Sequence, residues 1–91
     1  MGPAVIEWIN EPISVELHPH HEGTGRPLAF VWRGCYLAIE SWGRESVETQ
    51  GERTVHCYLV QTVGPETWEL CQDTKTAQWT LVRHWARDLL A

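Results

Sequence analysis

Lysine is nearly absent from this sequence: Lys75 is the only one, and arginine supplies the rest of the positive charge. Phenylalanine and methionine occur once each, as Phe30 and Met1. Acidic residues outnumber basic ones, for a formal net charge of −5. A general nucleic-acid binder carries a basic face, so this balance disfavours that class. The arginines pair bidentately with carboxylates and stack on aromatic rings, which lysine does less well. No apolar stretch approaches the ~18 residues of a membrane-spanning helix. The start, Met1-Gly2-Pro3-Ala4-Val5-Ile6-Glu7-Trp8, has no basic n-region, and Glu7 breaks its apolar run, so no secretory leader is expected. Cysteine is sparse and odd in number: Cys35, Cys57 and Cys71 contain no Cys-x-x-Cys pair. Together these features predict buried free thiols and a cytoplasmic chain.

Catalytic signatures are missing too. There is no Gly-Lys-Ser/Thr, so Gly23-Thr24-Gly25 is no phosphate loop, and there is no Gly-x-Ser-x-Gly elbow. His56 and Cys57 are adjacent, so on a strand they point to opposite faces and cannot work as a pair. No catalytic residue and no cofactor are predicted, and the chain reads as a non-enzyme.

What is abundant is tryptophan, six in 91 residues: Trp8, Trp32, Trp42, Trp68, Trp79 and Trp85. The length suits one domain. Side chains of ~150–250 Å² buried area help so small a core. After a lead-in over residues 1–12, read as a helical turn or an edge strand around Val5–Ile9, Ile13, Val15 and Leu17 alternate with polar residues. Residues 18–27 are a Pro- and Gly-rich loop. Leu28–Trp32, Arg33-Gly34 and Cys35–Trp42 read as a hairpin, with Gly34 supplying the positive φ of a tight turn. That turn pairs Trp32 with Cys35 and Phe30 with Leu37 on one apolar face.

Residues 43–53 read as a polar connection. Thr54–Val63 is a central strand, and Thr67–Asp73 follows with Trp68 and Leu70 on one face. Gln78–Ala86 places Trp79, Leu81, Arg83 and Trp85 on a common face, before a short tail over 87–91. The fold class is all-β: a five- to six-stranded antiparallel meander over 13–86, curled into a small barrel or roll with little helix.

The strings Arg26-Pro27-Leu28-Ala29-Phe30-Val31-Trp32-Arg33-Gly34, Trp68-Glu69-Leu70 and Trp79-Thr80-Leu81-Val82-Arg83, with Tyr36 and Trp42 between, carry a resemblance. Over residues 11–86 the chain resembles a family of short bacterial β-rich domains of unknown function. These occur alone or C-terminal to proteins like the Y-family (translesion) DNA polymerases. The chain departs from that pattern at Cys35 and at His56-Cys57, where basic or aromatic residues are usual. The resemblance implies a β-rich stand-alone module linked to DNA damage tolerance, and it implies no activity; a protein partner of that machinery is a separate expectation.

Two groups of residues are candidates for chemistry. His18, His20, His21 and Glu22 offer imidazoles and a carboxylate for Zn²⁺ or Ni²⁺. Their spacing suits no helical ligand set, and a solvated loop is the ordinary fate of such a tract. Ordering a metal there would take further ligands such as His56, Cys57 or His84. Trp32, Arg33, Arg83 and Trp85 are the candidate binding surface. The face bearing Arg83 has two readings. Outside, it is a stacking platform for a peptide, a base or another subunit. Inside, Trp79 and Leu81 are core, and Arg83 reaches out to Glu69 or Asp73. The inside reading is favoured, because a small meander needs that bulk to close. Protein contact ranks first, single-stranded nucleic acid second, a metal- or thiol-dependent enzyme third. Homodimerisation through an edge strand is compatible with each.

Overall fold

The computed structural model describes residues 4–17, 26–63 and 66–87. Six strands follow in chain order: β1 (Ala4–Leu17), β2 (Pro27–Trp32), β3 (Cys35–Gln50), β4 (Arg53–Thr62), β5 (Glu66–Asp73) and β6 (Trp79–Arg87). Each pairs antiparallel with the next, and β6 pairs with β1, so the expected all-β meander closes into a barrel. No helix long and apolar enough to cross a membrane occurs among the described residues.

The barrel is filled by the alternate residues that the sequence marks as large. Phe30, Val60, Trp68, Leu70, Trp79 and Leu81 are buried in one cluster. Ile9, Ile13 and Val15 of β1 pack against it from the same side. Two indole donors in or against this cluster have hydrogen-bond partners: Trp68 Nε1 donates to Thr62 Oγ1 at 2.9 Å and Trp42 Nε1 to the Pro27 carbonyl at 2.7 Å. Among the described residues no buried side-chain polar atom lacks a hydrogen-bond partner, which a core this rich in indole requires.

The β2–β3 hairpin has the expected register, with Trp32 opposite Cys35 and Phe30 opposite Leu37. Arg33 and Gly34 have φ of 50° and 77°, the pair of positive values that a type I′ turn needs.

Four expectations are decided or corrected. The lead-in takes the strand alternative rather than the helical turn: it is continuous with the strand expected from Ile13, β1 begins at Ala4, and Asn10, at φ 52°, absorbs a register shift between Trp8 and Glu11. Asn tolerates this left-handed conformation better than most residues. The supposed connection over 43–50 is also strand. Its glutamates lie exposed along β3, which stays paired to β4 through two register shifts, at Ile39/Ser41 and Trp42/Glu45. Polar residues on both faces erase the alternation that marks a strand.

Third, β6 does not keep a single face. Leu81 lies opposite Leu70 and Arg83 opposite Glu69, so Val82 is an extra residue relative to β5. This bulge changes the phase of the strand. Trp79 and Leu81 point into the core, His84 is buried, and Arg83 and Trp85 turn outward. The favoured inside reading holds for Trp79 and Leu81 as core and for Arg83 reaching Glu69, while Arg83 stacked on Trp85 adds the outward aromatic surface of the other reading.

Fourth, Cys57 and Cys71 are not free thiols. They lie directly opposite one another on β4 and β5 and form a disulfide. Both point away from the main core and cluster with Val55 and Val82 on the outer side. Cys35 is free and exposed.

The ring is staggered, so two strands overhang it. Among the described residues, β1 from Ala4 to Ile13 pairs only with β6, and β3 from Ile39 to Gln50 pairs only with β4.

Candidate contact face

On the outer wall of β4, β5 and β6 lies an open concavity of about 850 Å³. Its floor carries Val55, Cys57, Cys71 and Val82, and Trp8 and Arg83 stand at one side. The phase change at Val82 is what delivers Arg83 to this wall. Arg83 Nε donates to Glu69 Oε1 at 2.6 Å. Its guanidinium lies 4.5 Å from the Trp85 ring centroid and 5.0 Å from that of Trp8. A planar cation held between two indoles and neutralised by a carboxylate is rigid and presents aromatic surface without free charge. Trp8 is 64 % exposed, and Val5 and Ile6 beside it are also exposed. A Trp so open in a chain whose other indoles are half-buried or buried makes this patch the candidate contact face.

Trp8 is the site residue that sequence reasoning missed. The signal was present in the spacing of Ile6 and Trp8, which share a strand face once the lead-in is read as strand.

The four predicted surface residues form two units rather than one. Arg83 and Trp85 belong to the outer face. Trp32 packs against the core, edge-on to Trp68 with ring centroids 5.6 Å apart. Arg33 stacks on Trp32 at 4.5 Å, and Glu11 accepts from both, from Arg33 Nη2 at 2.7 Å and from Trp32 Nε1 at 2.9 Å. The Arg33 hydrogen bond, aided by that of Trp32, holds the Glu11 carboxyl below its ordinary range, and Glu11 in turn raises Arg33. This second unit clamps the hairpin tip onto β1.

Two further arginines are engaged. Arg53 Nε bonds Asp73 Oδ2 at 3.0 Å, and Arg26 lies 5.0 Å from the Trp42 centroid. Among the described residues Arg33, Arg53 and Arg83 are thus committed to carboxylates within the chain. The two of these that line the concavity, Arg53 and Arg83, are already neutralised there.

Asp73 also builds the turn that borders the concavity. Its Oδ1 accepts from the Lys75 and Thr76 amides at 2.8 and 3.1 Å. These backbone bonds, with Arg53 behind them, hold the Asp73 carboxyl below its ordinary range. A lowered carboxyl pKa stabilises the fold above the unfolded-state value of about 3.9 and ceases to do so as pH falls through the folded value. The urea midpoint of the native chain should therefore drop on acidification below about pH 4. Asp73→Asn should be less stable at neutral pH and flatter over the acid limb. Parallel acid limbs for the two proteins would contradict this role.

At the barrel end His84 stacks on Trp68, centroids 3.8 Å apart. Its Nδ1 lies 3.1 Å from Glu7 and its Nε2 2.6 Å from Glu66. Both neighbours are carboxylates, so the arrangement cross-links β1, β5 and β6. His56 lies 3.9 Å from Glu45 and stacks on Tyr58. His84 and His56 are thus taken up by their own neighbours. The proposed ligands His18, His20, His21 and Glu22 lie outside the described residues. No family model, curated protein or solved structure matches the chain.

Proposed function

We propose that the chain is a non-enzymatic protein-contact module. Its working surface is the outer concavity with the Trp8–Arg83–Trp85 stack at its side. The observation that carries this reading is the exposed Trp8 ring stacked on an arginine already neutralised by Glu69. Such a surface gains most from burying an uncharged aromatic or aliphatic segment of a partner. Nucleic acid fits it less well, because Arg53 and Arg83 of this wall are already paired with Asp73 and Glu69, and its remaining cation, Lys75, supplies little of the phosphate term that dominates such binding.

The setting we propose, DNA damage tolerance, rests on the resemblance of Phe30–Gly34 and Trp79–Arg83. A cytoplasmic location belongs to the same proposal and makes a demand of its own: Cys57 and Cys71 must spend time reduced there.

The test is affinity capture from native cell extract, with and without nuclease. It compares the native chain, the double variant Trp8→Ala/Trp85→Ala, and Arg33→Ala as a control outside the face. Central interface tryptophans commonly contribute ~2 kcal/mol or more each, so the double variant should weaken capture by roughly 1,000-fold. Its circular dichroism should be native, and Arg33→Ala should capture normally. Equal capture by the double variant rejects the face. Loss of capture on nuclease treatment, with steep salt dependence, rejects protein in favour of single-stranded nucleic acid.

A further inference from the structure

The floor of the concavity carries a group that the contact reading does not use. The Sγ atoms of Cys57 and Cys71 and a carboxylate oxygen of Glu69 lie within 4.8 Å of one another. All three residues line the open concavity. Cross-strand pairing places the cysteines opposite one another, and Glu69 precedes Cys71 by two residues on the same face of β5.

We propose that, once reduced, Cys57 and Cys71 together with Glu69 form a binding site for a thiophilic divalent cation of the Zn²⁺ type, so that the disulfide and the metal site are alternative states of one pair. A dithiol reductant supplies the first step. It forms its own disulfide and passes two electrons and two protons to the Cys57–Cys71 bond, which opens to two thiols. The cation then bonds both sulfurs and releases the two thiol protons to solvent.

The donor set decides the class of ion. Two thiolates with one carboxylate suit Zn²⁺, whereas Mg²⁺ and Ca²⁺ take oxygen shells. Charge points the same way. Two thiolates and Glu69 set three negative charges against the one positive charge of Arg83, and a divalent cation brings the cluster to neutrality. Arg83 serves as an outer support. It bonds Glu69 Oε1 at 2.6 Å and leaves the second oxygen for the cation, an arrangement that orients ligand carboxylates in metal sites generally. Three protein ligands leave one position open to the concavity, where a partner group or water completes a tetrahedron.

The experiment uses the full chain carrying Cys35→Ser, which removes the exposed free thiol. Zn²⁺ is measured by equilibrium dialysis on the phosphine-reduced and the oxidised protein, and Co²⁺ serves as a spectroscopic probe. The reduced protein should bind one Zn²⁺ per chain. Its Co²⁺ form should show the intense near-ultraviolet band of thiolate-to-cobalt charge transfer. The oxidised protein should show no such band, and neither should reduced Cys71→Ser at full strength. Glu69→Gln, which keeps both cysteines, should bind about tenfold more weakly or worse.

Imidazoles of His18, His20 and His21 give no sulfur band, so binding there is distinguished from the proposed site. Tryptophan emission reports folding throughout. A reduced chain that binds no Zn²⁺, or that unfolds without recovery on adding Zn²⁺, overturns the proposal. So does an undiminished band in Cys71→Ser. Unchanged affinity in Glu69→Gln overturns the three-ligand site. None of these outcomes depends on partner capture.

Discussion

Trp68→Ala should cost about 3–5 kcal/mol, the range for removing a large aromatic from a packed core. Trp68 is 3 % exposed, and its ring meets Phe30 at 5.4 Å, Trp32 at 5.6 Å and His84 at 3.8 Å. It therefore joins the hairpin, β5 and β6 at one point. Domains have total stabilities of only ~5–15 kcal/mol, so a loss of this size is a large part of the whole. The cavity would also strand His84, whose stacking partner is gone. Trp68→Phe should be milder, at about 1–3 kcal/mol, since it keeps a ring but gives up the hydrogen bond to Thr62. Urea unfolding followed by circular dichroism measures both. Trp8→Ala is the comparison, because the same deletion at an exposed ring should stay within ~0.5 kcal/mol. A Trp68→Ala chain within 1 kcal/mol of native, roughly the cost of an average substitution, would show that the core does not rest on this ring.

Opening the Cys57–Cys71 bond is the second large effect. The bond closes a loop with a sequence separation of 14. On the chain-entropy view, a loop of that size contributes about 3 kcal/mol by restricting the unfolded state. For a domain this small each kcal/mol shifts the melting temperature by ~4–8 °C, so reduction should lower Tm by roughly 12–24 °C. Scanning calorimetry with and without reductant measures the shift, and Cys57→Ser/Cys71→Ser should reproduce the reduced value. Both reduced forms should remain folded at room temperature, because the two sulfurs lie outside the main barrel core. An unchanged Tm on verified reduction would mean that the six-stranded ring already restricts the chain as much as the bond does. If Zn²⁺ occupies the reduced pair, saturating Zn²⁺ should recover part of the lost Tm by linkage.

Much of the fold was legible where one rule governed a segment. The β2–β3 register followed from Gly34 and the alternation of Phe30, Trp32 and Leu37. The two faces of β5 followed from period-two spacing in the same way. Legibility failed where two signals overlapped. On β3, glutamates on both faces hid a strand behind the composition of a loop. On β6, one extra residue at Val82 divided an unbroken alternation into two orientations, and nothing in the spacing of Trp79, Leu81, Arg83 and Trp85 announces it.

The cysteine pair lies between these cases. From Thr62 opposite Glu66 to Cys57 opposite Cys71 the β4–β5 register has no irregularity. Counting back along both strands from the Thr62–Glu66 pair therefore brings the two sulfurs together. That inference was open to the sequence, but it needed the partner strand as well as the cysteine count. The contact face was half legible: Arg83 and Trp85 stood out by composition, whereas Trp8 needed the lead-in to be read as strand.

The overhang of β3 bears on how the molecule behaves in a crowded solution. From Ile39 onward one side of this strand has no ladder partner among the described residues, and an open flank of that kind can seed stacking of chain upon chain into fibrils. Two defences are built into it. The register shifts at Ile39/Ser41 and Trp42/Glu45 kink the flank so that no long straight row of amides and carbonyls is presented. Glu40, Arg44, Glu45 and Glu48 put charge along it, which a second copy would have to desolvate. The glutamates that disguise β3 as a loop thus carry a second consequence: pairing of two copies along this flank would have to bury their charge.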